Sequence, residues 1–215
     1  MQDSRITLEQ LARWCRNGRL SEATPAALSS GFEALDNLLP GGGWPRGAVT
    51  ELMPDAAGIG ELSLLLPALA RLSRDGRQLA WIDPPWLPQA TALVQQGVAL
   101  ERLWIVQVPG IQAALWAAEQ ILRCPAVGAV LAWPAVPLPD RSIRRLQLAA
   151  EAGGGLGILY RPPQAALVAS PAALRLRLHP ASCDHLSIEV HKARGSSVSR
   201  RRQCTLSLPA LRRVA

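Results

Sequence analysis

Short apolar segments alternate with longer stretches in which apolar residues recur every three or four positions. The short segments have the length and near-continuous apolar character of buried strands and lie at Ala48 to Met53, Gln78 to Ile82, Leu103 to Val108, Val127 to Trp133 and Leu156 to Tyr160. The longer stretches predict helices at Gly60 to Arg74, Gln89 to Gly97, Gln112 to Arg123 and, from an acidic cap, Asp140 to Ala152. Strands and helices in this order favour a parallel sheet covered on both faces.

The pattern changes in the last third of the chain. Leu174 to His179, Leu186 to Lys192 and Gln203 to Leu208 alternate apolar and polar residues by twos, which is typical of antiparallel strands. The predicted fold is therefore α/β: a mostly parallel sheet flanked by helices, with antiparallel strands appended at the C-terminus.

The N-terminal part has its own pattern. Thr7 to Arg16 predicts a short amphipathic helix, and the polar stretch around Pro25 predicts a linker. The chain of 215 residues leaves room for one sizeable core. We therefore predict an N-terminal helix and linker at residues 1–28 and a core domain at residues 29–215.

Composition narrows the class of protein. Apolar residues make up 49% of the chain and charged residues 18%, as in globular proteins. Pro, Gly or Arg interrupts every apolar run before the ~18 residues of a membrane helix, and the N-terminus does not resemble a signal peptide. The four cysteines are far apart, without paired spacing. This pattern favours free thiols and a cytoplasmic location.

The positive charge is concentrated at the C-terminal end. The net charge is +7, and residues 151–215 hold 10 basic residues against 3 acidic ones. This surplus, together with the tryptophan of the N-terminal helix, gives a candidate partner- or DNA-binding set: Trp14, Lys192, Arg194, Arg200, Arg201 and Arg202. The alternative is a solvated hairpin tip, since the last third lacks the interleaved aromatic residues of many single-strand binders.

The loop after the first core strand is the candidate phosphate site, because ligands of such sheets bind beyond the carboxyl ends of the strands. A phosphate loop needs glycines, a lysine for the terminal phosphates and a Ser or Thr for magnesium. Here the loop has Gly58 and Gly60, acidic Asp55 and Glu61, and no lysine; the chain's only lysine is Lys192. The loop therefore predicts a retained backbone shape without phosphate binding.

Residues 29–60, SSGFEALDNLLPGGGWPRGAVTELMPDAAGIG, resemble the beginning of the RecA core. In an alignment without gaps, the degenerate phosphate-loop positions are Met53, Pro54, Gly58, Ile59 and Gly60, with Met53 at the first glycine, Ile59 at the lysine and Gly60 at the threonine. Pro85 stands where the resemblance places the catalytic glutamate, and Trp133 where it places the Walker B aspartate. The resemblance therefore implies a pseudo-ATPase with no catalytic residue and no cofactor.

Two families combine this RecA-like pattern with missing ATPase residues: ImuA, of translesion DNA synthesis, and SulA, the division inhibitor that binds FtsZ. The segments GELSLLLPALARLSRDGRQLAWIDPP and LWAAEQILRCPAVGAVLAWP are similar to both. Residues 29–50 with the N-terminal helix, and the C-terminal SIEVHKARGSSVSRRRQCTLSL, favour ImuA. That resemblance implies three partners, namely RecA, an ImuB-like Y-family protein and an error-prone replicative-type polymerase, with DNA as a further candidate.

Other functions stay open at this point. SulA-like inhibition of FtsZ is the first alternative, and an ATPase with an unorthodox site or a plain DNA-binding module are the others. The histidines His179, His185 and His191 match no zinc motif, so no metal site is predicted.

Overall fold

A computed structural model describes residues 27–134, 136–182, 184–194 and 202–208. The predicted N-terminal helix with Trp14, most of the predicted linker, and Arg200 and Arg201 lie outside the described residues, as does the side chain of Arg202. The division at residue 28 therefore stays a prediction.

A small antiparallel pair precedes the main sheet. β1 (Ala27–Leu28) pairs with β2 (Trp44–Pro45), and α1 (Glu33–Leu38) lies between them in sequence. Asp36 accepts hydrogen bonds from the Ser29 hydroxyl at 2.6 Å and from the Ser30 N–H at 2.8 Å, which ties the turn to the helix. Trp44 is fully buried, because β2 packs it into the core.

Eight strands form one mixed sheet. In chain order they are β3 (Ala48–Pro54), β4 (Gln78–Ile82), β5 (Leu103–Val106), β6 (Val127–Ala132), β7 (Leu156–Tyr160), β8 (Leu174–Ser182), β9 (His185–Ala193) and β10 (Arg202–Ser207). Their spatial order is β10-β9-β8-β3-β7-β6-β4-β5. Pairings from β8 to β5 are parallel, and β8–β9 and β9–β10 are antiparallel. The predicted α/β fold is confirmed, with one refinement: β8 is antiparallel only to β9.

Helices cover both faces of the sheet. They are α2 (Leu66–Arg74), α3 (Ala90–Gln95), α4 (Gly110–Leu122) and α5 (Asp140–Gly153), with 3-10 turns at Leu100–Arg102 and Pro163–Leu167. Alternate strand residues point to opposite faces, so Trp81 joins the core under α2 while Ile82 joins the core under α4 and α5. None of the helices in the described ranges is long and apolar enough to cross a bilayer.

Two predicted helix starts need correction. α2 begins at Leu66 and not at Gly60, because Gly60 has φ +99°, outside the helical region, and residues 61–65 form turns. At α5 the residue before the helix is Pro139, whose side chain makes no capping bond, and Asp140 lies inside the first turn. Its charge there still complements the helix dipole.

Candidate functional site

The five predicted loop residues lie together at the carboxyl end of β3. Gly58 and Gly60 both have positive φ, at +81° and +99°, so the loop makes the turns that the glycines predict. The Gly58 N–H donates to Glu61 Oε1 at 2.9 Å. A carboxylate of the chain itself therefore takes a backbone donor that would otherwise be free for an anion.

Apolar side chains occupy the rest of this loop. Ile59, at the position of the lysine, is partly buried and packs against the core under α2. A Cβ on Gly60 would come within 2.2 Å of Leu208 Cδ1, so the residue after β10 lies directly on the loop. The sequence indicated the acidic character of Glu61 but not its bond to Gly58. It gave no signal for Leu208, which is remote from the loop along the chain.

Aromatic rings fill the carboxyl ends of the neighbouring strands. Trp133, at the Walker B position, stacks on Tyr160 with ring centroids 4.6 Å apart and planes 6° apart, and Trp81 lies 5.8 Å from Trp133. The Tyr160 hydroxyl donates to the Glu61 carbonyl at 3.4 Å. Burial, reinforced by the charge of Glu61, raises the pKa of Tyr160 well above its usual value, so the phenol stays protonated. These rings link the loop to β6 and β7.

A buried charge cluster lies behind the loop and was missed by sequence reasoning. Glu51 of β3 is fully buried and accepts from Arg161 Nη1 at 2.9 Å and from Arg175 Nε at 2.5 Å. Arg175 also donates to the carbonyls of Ala165 and Val168, which fixes the 3-10 turn. The available signal was a glutamate within an otherwise apolar strand, since such a residue needs a partner when buried.

Of the predicted basic contact set, the structure describes the side chains of Lys192 and Arg194. Lys192 Nζ donates to the Ser170 carbonyl at 2.5 Å, and burial together with the charges of Arg175 and Arg194 lowers its pKa. Arg194 pairs with Glu151 at 3.3 Å. Both described side chains therefore make contacts within the chain, and their role toward a partner stays a prediction.

Asp55 follows β3 and joins the loop to the C-terminal strands. Its Oδ2 lies 2.6 Å from His179 Nδ1, and Arg177 donates to its Oδ1 at 3.3 Å. The bond to His179 is the main cause that lowers the pKa of Asp55. Within the described ranges, no three His, Cys, Asp or Glu residues lie close enough together to hold a metal ion.

Comparison with known proteins agrees with the RecA-like fold of this chain. Residues 37–158, more than half of the chain, match the family described as the MT3502 N-terminal domain. The chain is 32% identical to protein RecA of Halalkalibacterium halodurans over 115 residues, which cover 53% of this chain and 32% of that RecA. For protein RecA of Brevibacillus brevis the identity is 30% over 142 residues, which cover 61% of this chain and 40% of that RecA.

A third relative is the cell division inhibitor SulA of Cronobacter sakazakii, with 30% identity over 136 residues, 62% of this chain and 80% of that SulA. The chain thus spans about a third to two fifths of the RecA proteins that it matches but most of the SulA protein. The parallel sheet, the loop after β3 and these similarities lead to one conclusion. The chain belongs to the MT3502 N-terminal domain family and is a RecA/SulA-like protein.

Proposed function

We propose that this chain is a non-catalytic, cytoplasmic RecA-like accessory protein of damage-induced translesion DNA synthesis. It would act, as the resemblance to ImuA implies, through contacts with RecA, an ImuB-like protein and an error-prone polymerase. The observation that carries the proposal is the bond from the Gly58 N–H to Glu61, beside Ile59 and Leu208.

Placing a triphosphate on this loop would cost free energy. The triphosphate would meet the Glu61 carboxylate, and Leu208 would have to leave Gly60. No lysine follows Gly58 to compensate the phosphate charge. A hydrogen bond to a charged group contributes about 1.5–3 kcal/mol, so several such losses make nucleotide binding unfavourable.

Nucleotide binding and hydrolysis test the non-catalytic part of the proposal. We expect the wild-type protein to show neither ATP turnover nor saturable binding of a fluorescent ATP analogue at micromolar concentrations. The variant Glu61→Ala is the matched control, because it frees the Gly58 N–H without supplying a cation. ATP turnover that is lost on changing Gly58 or Asp83 would instead establish an ATPase with an unorthodox site.

Co-purification tests the partner part. The protein is mixed separately with RecA, the ImuB-like protein and FtsZ of the same organism, with and without ATP. Binding to RecA or to the ImuB-like protein that does not depend on ATP, with no binding to FtsZ, supports the translesion role. Strict dependence on ATP would contradict the degenerate-loop argument.

SulA-like inhibition of division is the second candidate, and one observation favours it: the chain covers 80% of a SulA relative. Against it stand the segments that resemble ImuA at the sequence level, and the described parts of two of them lie together, since α1 packs beside β10. Binding to FtsZ alone, with filamentation of cells on overexpression, would assign the SulA-like function.

A further inference from the structure

A pocket of about 520 Å³ lies on the side of the sheet opposite to α2, between α4 and α5. Its walls are mainly apolar, with Ile111, Ala114 and Leu115 from α4 and Leu146 from α5. Three prolines that follow the strand ends, Pro85, Pro134 and Pro162, form part of its lining. Its volume and apolar lining are those of a small-molecule site.

One charged side chain in this lining is incompletely paired. Arg161 is only 8% exposed, yet among the described residues only one of its five guanidinium N–H groups, on Nη1, has a partner, which is Glu51. Its Nε is enclosed and has no hydrogen-bond partner. A guanidinium is always charged and has no acceptor. Nη2 of Arg161 is not among the enclosed atoms, so its donors can take an acceptor that enters from the pocket.

The charges around Arg161 favour an anion of single charge. Arg161 and Arg175 share the one carboxylate that contacts them, that of Glu51. Asp140 acts on Arg161 only at a distance, and Asp83, on the pocket lining, accepts the Val108 N–H. The two guanidinium groups and the one carboxylate in contact therefore carry one net positive charge, which a monoanion would balance.

We propose that this pocket binds a carboxylate, or a similar monoanion, carried on an apolar body. The anion pairs with the free donors of Arg161, and the apolar body lies between α4 and α5. The carrier is either a free organic acid or a carboxyl group of a partner protein. The exposed Trp86 and Leu87 extend the apolar surface just beyond Pro85, where a partner's chain could continue.

The test uses two fluorescent probes that share an aromatic body. Anilinonaphthalene sulfonate carries a monoanion, and N-phenyl-1-naphthylamine is neutral. We expect the native protein to bind the anionic probe at least tenfold more tightly, as a charge-assisted hydrogen bond implies. Arg161→Met should remove this preference, and thermal unfolding of the variant would show that it is still folded.

A second variant leaves the charge cluster intact. Ala114→Phe should fill the pocket and lower the affinity for both probes tenfold or more. Ala152→Phe, at an exposed position at the far end of α5, should change neither affinity by more than twofold. Equal affinity of the two probes for the native protein would overturn the proposal, and so would unchanged binding by Ala114→Phe.

Displacement of the anionic probe then identifies the carrier. Displacement by 3-phenylpropionate alone assigns a free acid, and tighter displacement by acetyl-Gly-Gly-Phe with a free carboxyl end assigns a partner peptide. Displacement only by an oligothymidylate, or by none of these compounds, contradicts the proposal. These readouts do not depend on the translesion role, so the two proposals can fail separately.

Discussion

Glu51 holds two arginines at the carboxyl end of the sheet. Its carboxylate is fully buried, and each oxygen accepts from a different guanidinium, one following β7 and one within β8. Because charged groups are costly to bury, the cluster is stable only while every member is present. The same residue thereby positions Arg161 at the pocket.

Glu51→Gln should destabilise the fold by about 3–5 kcal/mol, because it leaves two buried guanidinium groups without their anion. The control is Glu151→Gln, whose bridge to Arg194 is exposed and should contribute less than about 1 kcal/mol. Urea unfolding followed by circular dichroism measures both. Similar losses for the two variants would contradict the importance of the buried cluster.

Trp133 stabilises the junction between the loop, β6 and β7 through its stack on Tyr160. Trp133→Ala should lower the free energy of unfolding by about 3 kcal/mol, as truncation of a packed aromatic ring does. Trp86→Ala, at a side chain that is 69% exposed, should change it by no more than about 0.5 kcal/mol. Denaturant unfolding measures both variants. A loss of stability for Trp86→Ala as large as that for Trp133→Ala would contradict a stabilising role of the stack between Trp133 and Tyr160.

The resemblance to RecA singled out Ile59, Pro85 and Trp133, which lie at or after the ends of strands that the apolar pattern predicts. It could not predict what fills the loop. Leu208 contacts Gly60 across 148 residues of chain, and no local pattern encodes that contact. Arg161 and Arg175 likewise meet Glu51 only through the pairing of β7 and β8 with β3.

At the element scale, α4 and α5 approach closely where both helices end. A Cβ on Gly153 would lie 1.9 Å from the Leu122 carbonyl oxygen, so only glycine permits this approach. The helix then ends at Gly154, which has φ +73°. This contact closes one end of the two-helix layer, and the pocket occupies the other.

Gly153→Ala should destabilise the fold by about 3 kcal/mol, because the two helix ends must move apart. The sign is informative, since alanine in a helix interior is otherwise favoured over glycine by about 1 kcal/mol. Gly154→Ala has open space around its Cβ position. It should therefore destabilise the fold only because alanine disfavours the left-handed backbone conformation, by about 1–2 kcal/mol. Thermal unfolding compares the two variants. A stabilising effect of Gly153→Ala would show that the ends of α4 and α5 leave room for a Cβ at this position.

The bounds of an element were predictable where one pattern of apolar residues runs through the whole element. β4 and β7 have the bounds expected from their apolar runs, because both are buried on both faces. The predicted start of α2 was wrong, because Leu62 and Leu65 continue the apolar spacing of the helix although they lie in turns that pack on the same core. Periodicity reports which side chains are buried and not which backbone conformation buries them.

Across the whole fold, β9 and β10 extend the sheet beyond β8, and Leu208 after β10 covers the phosphate-loop position at Gly60. β8 pairs with β3 on one side and with β9 on the other, and β10 lies beside α1. β10 thereby brings together the two ends of the described chain.

The N-terminal segment provides the last prediction. Among the described residues, both hydrophobic cores are built from Leu28 onward. Deletion of residues 1–24 should therefore leave a cooperative unfolding transition within a few degrees of that of the full chain. It should also abolish binding to RecA if, as the resemblance to RecA implies, the predicted amphipathic helix with Trp14 docks on a RecA protomer and not on a second copy of this chain.

Calorimetry and a RecA pull-down on the same two preparations separate the two effects. A matched control is Trp14→Ala in the full chain, which should weaken RecA binding without changing the unfolding temperature. RecA binding that survives the deletion would place the contact on the folded domain, where the exposed Trp86 and Leu87 would be the next surface to alter. A large fall in unfolding temperature would show instead that residues 1–24 stabilise the domain, and the loss of binding could then not be assigned to them.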